Sequence, residues 1–587
     1  MTPDHNAAVS PERARWYAPP ALAQLPRLLS GLDRERHSAS YGDFDREHWS
    51  WKFRDFPLGM LQTALYPLAL VWRYPLPENP YHRNPRLLEW IVAAMEQTLR
   101  RQHRNGSFDG FCPNEQEPGV TVGIVHGLAE AFRVLVPHVP EPTVQRLLAS
   151  LRRAMDYALP RDESHAFISN HQALFAVGFL DAHELLGDER CRARAAQVVA
   201  RILEQQSPEG WFLEYEGADP GYESLGIQHL ATYWRRTGAP ELLEALRRSV
   251  EFYAHCVHPD GSAGGAYGSR NTSLYFPGGF ELLAGELPMA AAVAAFLRAR
   301  ICRNNVVTPS SADAENLFPL LSSYLGACLA TGGDLGDAAP RLPCEILTGS
   351  KRYQRSGFVF AGGPRYYAVV NERKGGVCRV FDRQAQKLVY EDAGYVVTGN
   401  GVKWTSQSAG MSQAQETEEP SKVSTSALFA EIRQELPGPW KFVLLRLLNL
   451  TVFRSPALGA WVRRQIVQRL ILRKHAGPLR LRRRVVLGDN EIRFHDTIEL
   501  LAPVKVEGVA LPRNCTPIHM GSAKYFHPAE LDELAAPDLR PLTALRSERK
   551  ASIEFAIKFP AAGAPRLVEG AATEEREAGT REAVVER

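Results

Sequence analysis

The sequence predicts an α+β multidomain protein, with an N-terminal (α/α) toroid of helical hairpins followed by a C-terminal antiparallel β-sandwich. Three observations carry that expectation. A glycine-centred turn recurs about every 52 residues, apolar residues between the turns recur at helical spacing, and beyond about residue 349 the texture changes to short alternating runs.

The turn occurs as Asn105-Gly106-Ser107-Phe108, Glu209-Gly210-Trp211-Phe212 and Asp260-Gly261-Ser262. Gly106 and Gly210 are 104 residues apart and Gly210 and Gly261 are 51 apart, so one copy is skipped, around Pro160-Arg161-Asp162. That period is the length of two helices with their loops. Leu88, Ile91, Val92, Met95 and Leu99 make one apolar stripe, and Ala196, Val199, Ile202 and Leu203 another. Six periods would fill roughly 30 to 345, the number that closes a ring around a central cavity, although periodicity alone does not separate a ring from an open solenoid. The toroid is therefore expected over 1–345.

The sandwich is expected over 346–560. Phe358-Val359-Phe360, Tyr366 to Val370, Val377 to Phe381, Arg482 to Val486 and Glu491 to Ile498 read as strands, separated by Gly-Gly and Gly-Asn turns. A segment of different character interrupts them at about 437–475. From Trp440 to Gly488 there is no Asp or Glu, while Lys441, Arg446, Arg454 and Arg464 alternate with Phe442, Leu444, Leu447 and Trp461. Such a basic amphipathic insertion suits an anionic membrane surface, the protein's own sheet or an acidic glycan. The tail at 561–587 is rich in Ala, Gly and Glu and is expected to be disordered.

Composition narrows the classes further. Hydrophobic residues make up 45% and charged residues 23%, enough apolar material for substantial cores. A net charge of +3, from 69 basic against 66 acidic residues, argues against a nucleic-acid partner. Eight scattered cysteines without a CxxC pair read as reduced thiols. The first twenty residues lack the pattern of a secretory signal. Together these lead to a cytoplasmic expectation, with the basic segment offering peripheral contact at the inner membrane face. No metal site or cofactor is expected, because His165 and His171, and His255 and His258, lack companion ligands at suitable spacing. The oligomeric state is left open.

The unusual polar residues fall at one phase of the repeat. Asn170 and His171 open an apolar helix, Tyr222 follows His171 by 51 residues at another helix start, and Arg270 and Asn271 follow Tyr222 by about 48 in Tyr267-Gly268-Ser269-Arg270-Asn271-Thr272. In a closed ring these positions share one rim. Asn170, His171 and Arg270 can neutralise a uronate carboxylate as charge builds on it during proton abstraction. Tyr222 can move the proton, given cations that lower its reference pKa of about 10. Glu115, Glu216, Tyr267 and Asn271 are candidate substrate-binding neighbours.

Each residue also has a plainer reading. Asn170 could cap its helix, Tyr222 could be an ordinary lining aromatic, and Arg270 could pair with Asp219 or Glu223. Carboxylates at Asp109, Glu115, Glu214, Glu216, Asp219 and Glu223 would also suit a glycoside hydrolase.

An adjacent Asn-His at a helix start with a Tyr about one hairpin later resembles heparinase II/III-like and alginate-lyase-like polysaccharide lyases. Phe44-Asp45-Arg46, Asp55-Phe56-Pro57, Pro113-Asn114-Glu115 and the Gly268 to Thr272 run look like a branch of heparinase-like proteins associated with surface polysaccharides. The resemblance implies an α/α toroid with a β-sandwich, and β-elimination on an acidic polysaccharide. It assigns neutralisation to Asn170 and His171 and proton transfer to Tyr222. Further His or Tyr residues from the β side have His519 and Tyr525 as counterparts in region. A uronate C5-epimerase, a hydrolase and a non-catalytic glycan-binding scaffold are the alternative readings.

Overall fold

The computed structural model describes residues 8–163, 167–301, 306–330, 339–415, 419–433, 436–467, 474–517, 521 and 524–570. His165, His519 and the tail from residue 571 lie outside them. The chain packs as two compact units. The first is Met1–Ile346 with Arg433–Lys474 and Ile518–Asp532, and the second is Leu347–Ile432 with His475–Pro517 and Glu533–Arg587.

The first unit is helical. It opens with α1 (Pro11–Leu22), α2 (Leu25–Gly31) and α3 (Arg46–Trp49), and continues with α4 (Leu65–Arg73), α5 (Pro85–Arg100), α6 (Pro118–Leu135) and α7 (Glu141–Ala158). Next come α8 (Ser169–Leu186), α9 (Glu189–Gln205), α10 (Pro220–Thr237), α11 (Pro240–His255), α12 (Pro277–Leu283), α13 (Pro288–Ile301), α14 (Ala314–Leu329) and α15 (Pro343–Ile346). Proline at the first helical position starts α5, α10 and α12, where its missing N–H costs nothing. Gly187 and Gly238, both left-handed, end α8 and α10 and turn the chain into the outer helices.

Packing closes the ring. Helix α4 packs on α6, α6 on α8, α8 on α10, α10 on α12, α12 on α14, and α14 returns to α4. The open-solenoid alternative is thereby excluded. Five outer partners follow their inner helices in sequence, but α14 takes α1 from the other end of the unit as its partner. The two ends of the unit thus build the sixth hairpin. A buried clasp holds it: Glu281 of α12 accepts from Arg13 Nε at 2.6 Å, Tyr17 Oη at 2.7 Å and Arg298 Nη1 at 3.0 Å.

Pro118–His138 is long and apolar enough to cross a membrane by length and composition. Its place in the inner ring between α4 and α8 accounts for that apolarity.

The glycine turns repeat as hydrogen-bonded loops. In each, one residue donates across the loop and receives the glycine N–H: His103 N to Ser107 O with Gly106 N to His103 O, Ser207 N to Trp211 O with Gly210 N to Ser207 O, and His258 N to Ser262 O with Gly261 N to His258 O. The glycines have φ of 93°, 102° and 88°. A Cβ on Gly210 would lie 2.4 Å from the Arg248 carbonyl oxygen, so glycine is required both for its conformation and for the close approach to α11.

The second unit is a sandwich. Strands β1 (Gly349–Tyr353), β2 (Phe358–Gly362), β3 (Tyr366–Asn371), β4 (Val377–Asp382) and β5 (Lys387–Asp392) form one antiparallel sheet in sequence order. The other sheet contains β6 (Val396–Gly399), β7 (Val402–Thr405), β8 (Ser412–Ala414), β9 (Lys422–Glu431), β10 (Ala476–Leu487), β11 (Glu491–Leu500), β12 (Val506–Ala510), β13 (Lys550–Lys558) and β14 (Arg566–Glu569). Its order is β12-β6-β7-β9-β10-β11-β13-β14, with β8 also on β9. Val359, Val380 and Tyr390 of the first sheet and Phe429, Leu481, Phe494 and Phe555 of the second share one buried core. Within it Arg483, fully buried, bonds Asp392 at 2.9 Å and Asp496 at 2.7 Å. Strand β14 pairs with β13, so regular structure extends into the region expected as a disordered tail.

The basic insertion interrupts the sandwich in chain order but packs with the helical unit. It forms α16 (Pro439–Leu450) and α17 (Pro456–Val467).

Candidate active site

Asn170, His171 and Tyr222 sit at the same end of neighbouring inner helices, in the first turn of α8 and of α10. Arg270 lies on the loop that leads toward α12. The loop is bound to the start of α10 by Asp219. This fully buried N-cap accepts from Tyr222 N at 3.2 Å, from Arg270 N at 2.8 Å and from the Thr272 hydroxyl. Asp219 therefore couples the position of Tyr222 to that of Arg270.

Asn170 does not cap α8. The N-cap is Ile168, and the buried Asn170 instead donates from Nδ2 to Glu214 Oε2 at 2.6 Å and from its backbone N–H to Glu214 Oε1 at 3.0 Å. Burial raises the Glu214 carboxyl to about 8, against the Asn170 hydrogen bonds and the nearby His171.

His171 Nδ1 lies 2.7 Å from Glu163 Oε1. Desolvation opposes its charge, but the carboxylate of Glu163, with Glu214 and Glu117 nearby, raises the imidazole to about 9. His171 is thus a cation at neutral pH, suited to neutralising an anion and unsuited to accepting a proton.

Tyr215 joins the two halves. The Arg270 guanidinium lies over its ring at 4.7 Å. Burial, and then Glu163, push the Tyr215 phenol above its usual range, with Arg270 opposing; Glu214 and Tyr222 also act on it. Arg270 is buried, with Nε and Nη1 lacking a hydrogen-bond partner among the described residues. Buried guanidinium donors of this kind fit an anion that arrives with a ligand.

The four phase-matched residues are therefore one constellation. The other candidates are placed differently. Glu216 is exposed and pairs with Lys474 at 2.7 Å. Glu115 accepts from Gly110 N and Phe111 N and holds its own turn. Asn271 has φ of 58° and gives its carbonyl to the Tyr525 hydroxyl at 3.4 Å. Tyr525, from the region noted for a further Tyr, also accepts from Ser273 N, so it reaches the Arg270 loop.

Tyr267 is a correction. Its side chain is fully buried, with its hydroxyl 2.9 Å from His258 Nε2, so it belongs to the core of the Gly261 turn instead of a substrate surface.

The rim carboxylates are engaged structurally. Asp109 accepts from Asn114 N and Gln116 N, and buried Glu223 from Phe212 N and the Ser249 hydroxyl. Glu115, Glu214, Glu216 and Asp219 have the partners described above.

Glu163 and Tyr215 were not singled out in the sequence. Glu163 stands beside the skipped copy of the glycine turn, and that break in the repeat was its only signal.

Further along α6 and α8, ligand atoms of His126, Glu130 and Asp181 lie within 4.8 Å of one another. Asp181 already accepts from Arg133 and Arg236, each at 2.7 Å, and His126 Nδ1 is 2.7 Å away. Cationic side chains thus offset the negative charge of Asp181. A cavity of about 290 Å³ lined by Asp43, Phe56, Gln62, Arg101, Phe108 and Asp109 shares no lining residue with the constellation.

Residues 59–279 match the family model of the ulvan lyase N-terminal domain. The matched segment contains Asn170, His171, Tyr222 and Arg270. No curated protein sequence matches the chain. Among solved structures, heparinase III is 11% identical, with a TM-score of 0.48 over 85% of this chain and 74% of that one. Streptomyces coelicolor A3 chondroitin AC lyase, in complex with chondroitin sulphate, is 12% identical, with a TM-score of 0.47 over 84% and 67%. Paenibacillus xanthan lyase is 11% identical with a TM-score of 0.47, and the 84% of this chain that aligns spans 46% of that protein.

Proposed function

We propose that the protein is a polysaccharide lyase that cleaves a uronic-acid-containing polymer by β-elimination. The observation that carries this reading is the pairing of His171 Nδ1 with Glu163 at 2.7 Å, in one constellation with Asn170, Tyr222 and the buried donors of Arg270. The match of residues 59–279 to the ulvan lyase N-terminal domain supports it.

In this reading His171, Asn170 and Arg270 receive the uronate carboxylate, aided by the positive ends of α8 and α10. The Tyr222 phenolate takes the proton from the carbon beside that carboxylate, and the carboxylate holds the developing charge. The electron pair forms the new carbon–carbon double bond as the glycosidic C–O bond breaks. The departing oxygen takes the proton back from Tyr222, so no water is consumed. The surface-polysaccharide resemblance supports an exopolysaccharide as the polymer.

Mass spectrometry of products from a panel of acidic polysaccharides tests the reaction class. Elimination yields fragments whose masses sum to that of the parent. Fragments heavier by one water would establish hydrolysis, and solvent deuterium incorporation without shortening would establish epimerisation; either would overturn the proposal.

A further inference from the structure

The insertion is anchored inward by polar residues of α16 while large apolar residues stay exposed. Arg446 pairs with Asp55 at 2.9 Å and lies over the Phe56 ring at 5.1 Å, and the Asn449 carbonyl accepts from Asn114 Nδ2 at 2.9 Å. Lys474, beyond the second helix, pairs with Glu216. On the outer side, Trp440, Val443, Leu444, Leu447 and Leu450 recur at helical spacing along α16 and are exposed, Trp440 to 84%. Leu458 and Trp461 continue the exposed apolar surface on α17.

The loops that hold α16 add to this surface. Trp51 and Phe53, stacked at 6.2 Å and exposed, precede Asp55 and Phe56, and exposed Phe111 precedes Asn114. Soluble surfaces rarely leave so many large apolar side chains together without a partner.

Charge selects the partner. Exposed Lys441, Arg454 and Arg464 accompany the apolar stripe, and no acidic residue occurs from Trp440 to Gly488. A second copy would bring like charges together. A glycan would meet a stripe of leucine and valine side chains that donate no hydrogen bonds. An anionic bilayer matches both features, with apolar side chains entering the acyl boundary while the cations stay at the headgroups.

We propose that α16, α17 and the loops carrying Trp51, Phe53 and Phe111 form a docking surface for an anionic lipid membrane. Lys474, seven residues beyond the end of α17, pairs with Glu216, next to Tyr215. The proposal stands apart from the reaction assigned to the site.

The test is co-sedimentation of the full chain with vesicles of phosphatidylcholine alone and of equal parts phosphatidylcholine and phosphatidylglycerol. Binding is expected to be about tenfold or more stronger to the anionic vesicles, to weaken with added salt, and to be lost in a Trp440→Glu/Leu447→Glu variant. In the unmutated protein, brominated lipid should quench tryptophan fluorescence, less so in Trp440→Phe; this second readout does not depend on the double variant folding. Absence of binding by the unmutated chain, or unchanged binding by a folded double variant, would overturn the proposal. So would loss in that variant of acidic-polysaccharide binding or of dimerisation, with no vesicle binding by the parent.

Discussion

Glu163 decides what His171 can do. A histidine raised to about 9 is charged at neutral pH, and the imidazolium is lost as pH rises through that value. The associated stability is present in full below the unfolded value of about 6.5 and disappears by about 9. Glu214 acts in the same direction: its folded pKa is raised to about 8, so ionisation above the unfolded value weakens the fold as pH rises. Replacing Glu163 by Gln should move the alkaline limb of the kcat/KM profile from near pH 9 toward the ordinary histidine range. At pH 8 activity should fall roughly tenfold or more, with little change at pH 6; a limb that stays in place would show that His171 does not supply the required charge. Arg270→Ala should raise KM by at least about tenfold through loss of a charge-assisted contact, read from initial rates, with a smaller effect on kcat. The common placement of Asn170, His171 and Tyr222 at the starts of neighbouring inner helices was legible in the sequence because the hairpin repeat sets their phase. Tyr267 lies only three residues from Arg270 yet points its hydroxyl to His258, a distinction that depends on side-chain direction within a tight loop.

The glycine turn sets the geometry at the scale of the hairpin. Its positive φ and its contact with the next outer helix make Gly210→Ala strained on both counts. It should cost about 2 kcal/mol or more, measured as a lower urea midpoint at unchanged slope; an unchanged midpoint would mean the turn can relax. The Gly106, Gly210 and Gly261 copies were readable because the conformation admits almost no other residue. The copy near Pro160 was not, since the chain there gives up the turn and carries Glu163 instead. Asp219 belongs to the same scale. Its Asp-Pro-Gly setting read as a turn, whereas its buried carboxylate also fastens the Arg270 loop one repeat further on, through the backbone N–H of Arg270 and not through the guanidinium pairing that the sequence suggested.

Across the helical unit, closure depends on joining its first helix to its last. Periodicity predicted six hairpins but assigned them to consecutive segments; α1 completes the sixth because it packs on α14 and places Arg13 against Glu281. Arg13→Ala should destabilise the folded chain by about 3 kcal/mol, the usual cost of removing one partner from a buried charged pair. Urea unfolding measures it, and a loss within error would show that Arg298 and Tyr17 suffice. The sandwich was legible from alternating strands, but the packing of α16 and α17 with the helical unit was not, because α16 keeps Trp440, Leu444 and Leu447 exposed while Asn449 is buried, against the ordinary pattern. The central claim is that Tyr222 moves the proton in an elimination. Its most direct test is the ultraviolet absorbance of the unsaturated uronate end, followed on acidic polysaccharides with the native protein and with Tyr222→Phe. The account predicts a rise with the native protein that falls by about a thousandfold in the variant; an equal rise with both would contradict it.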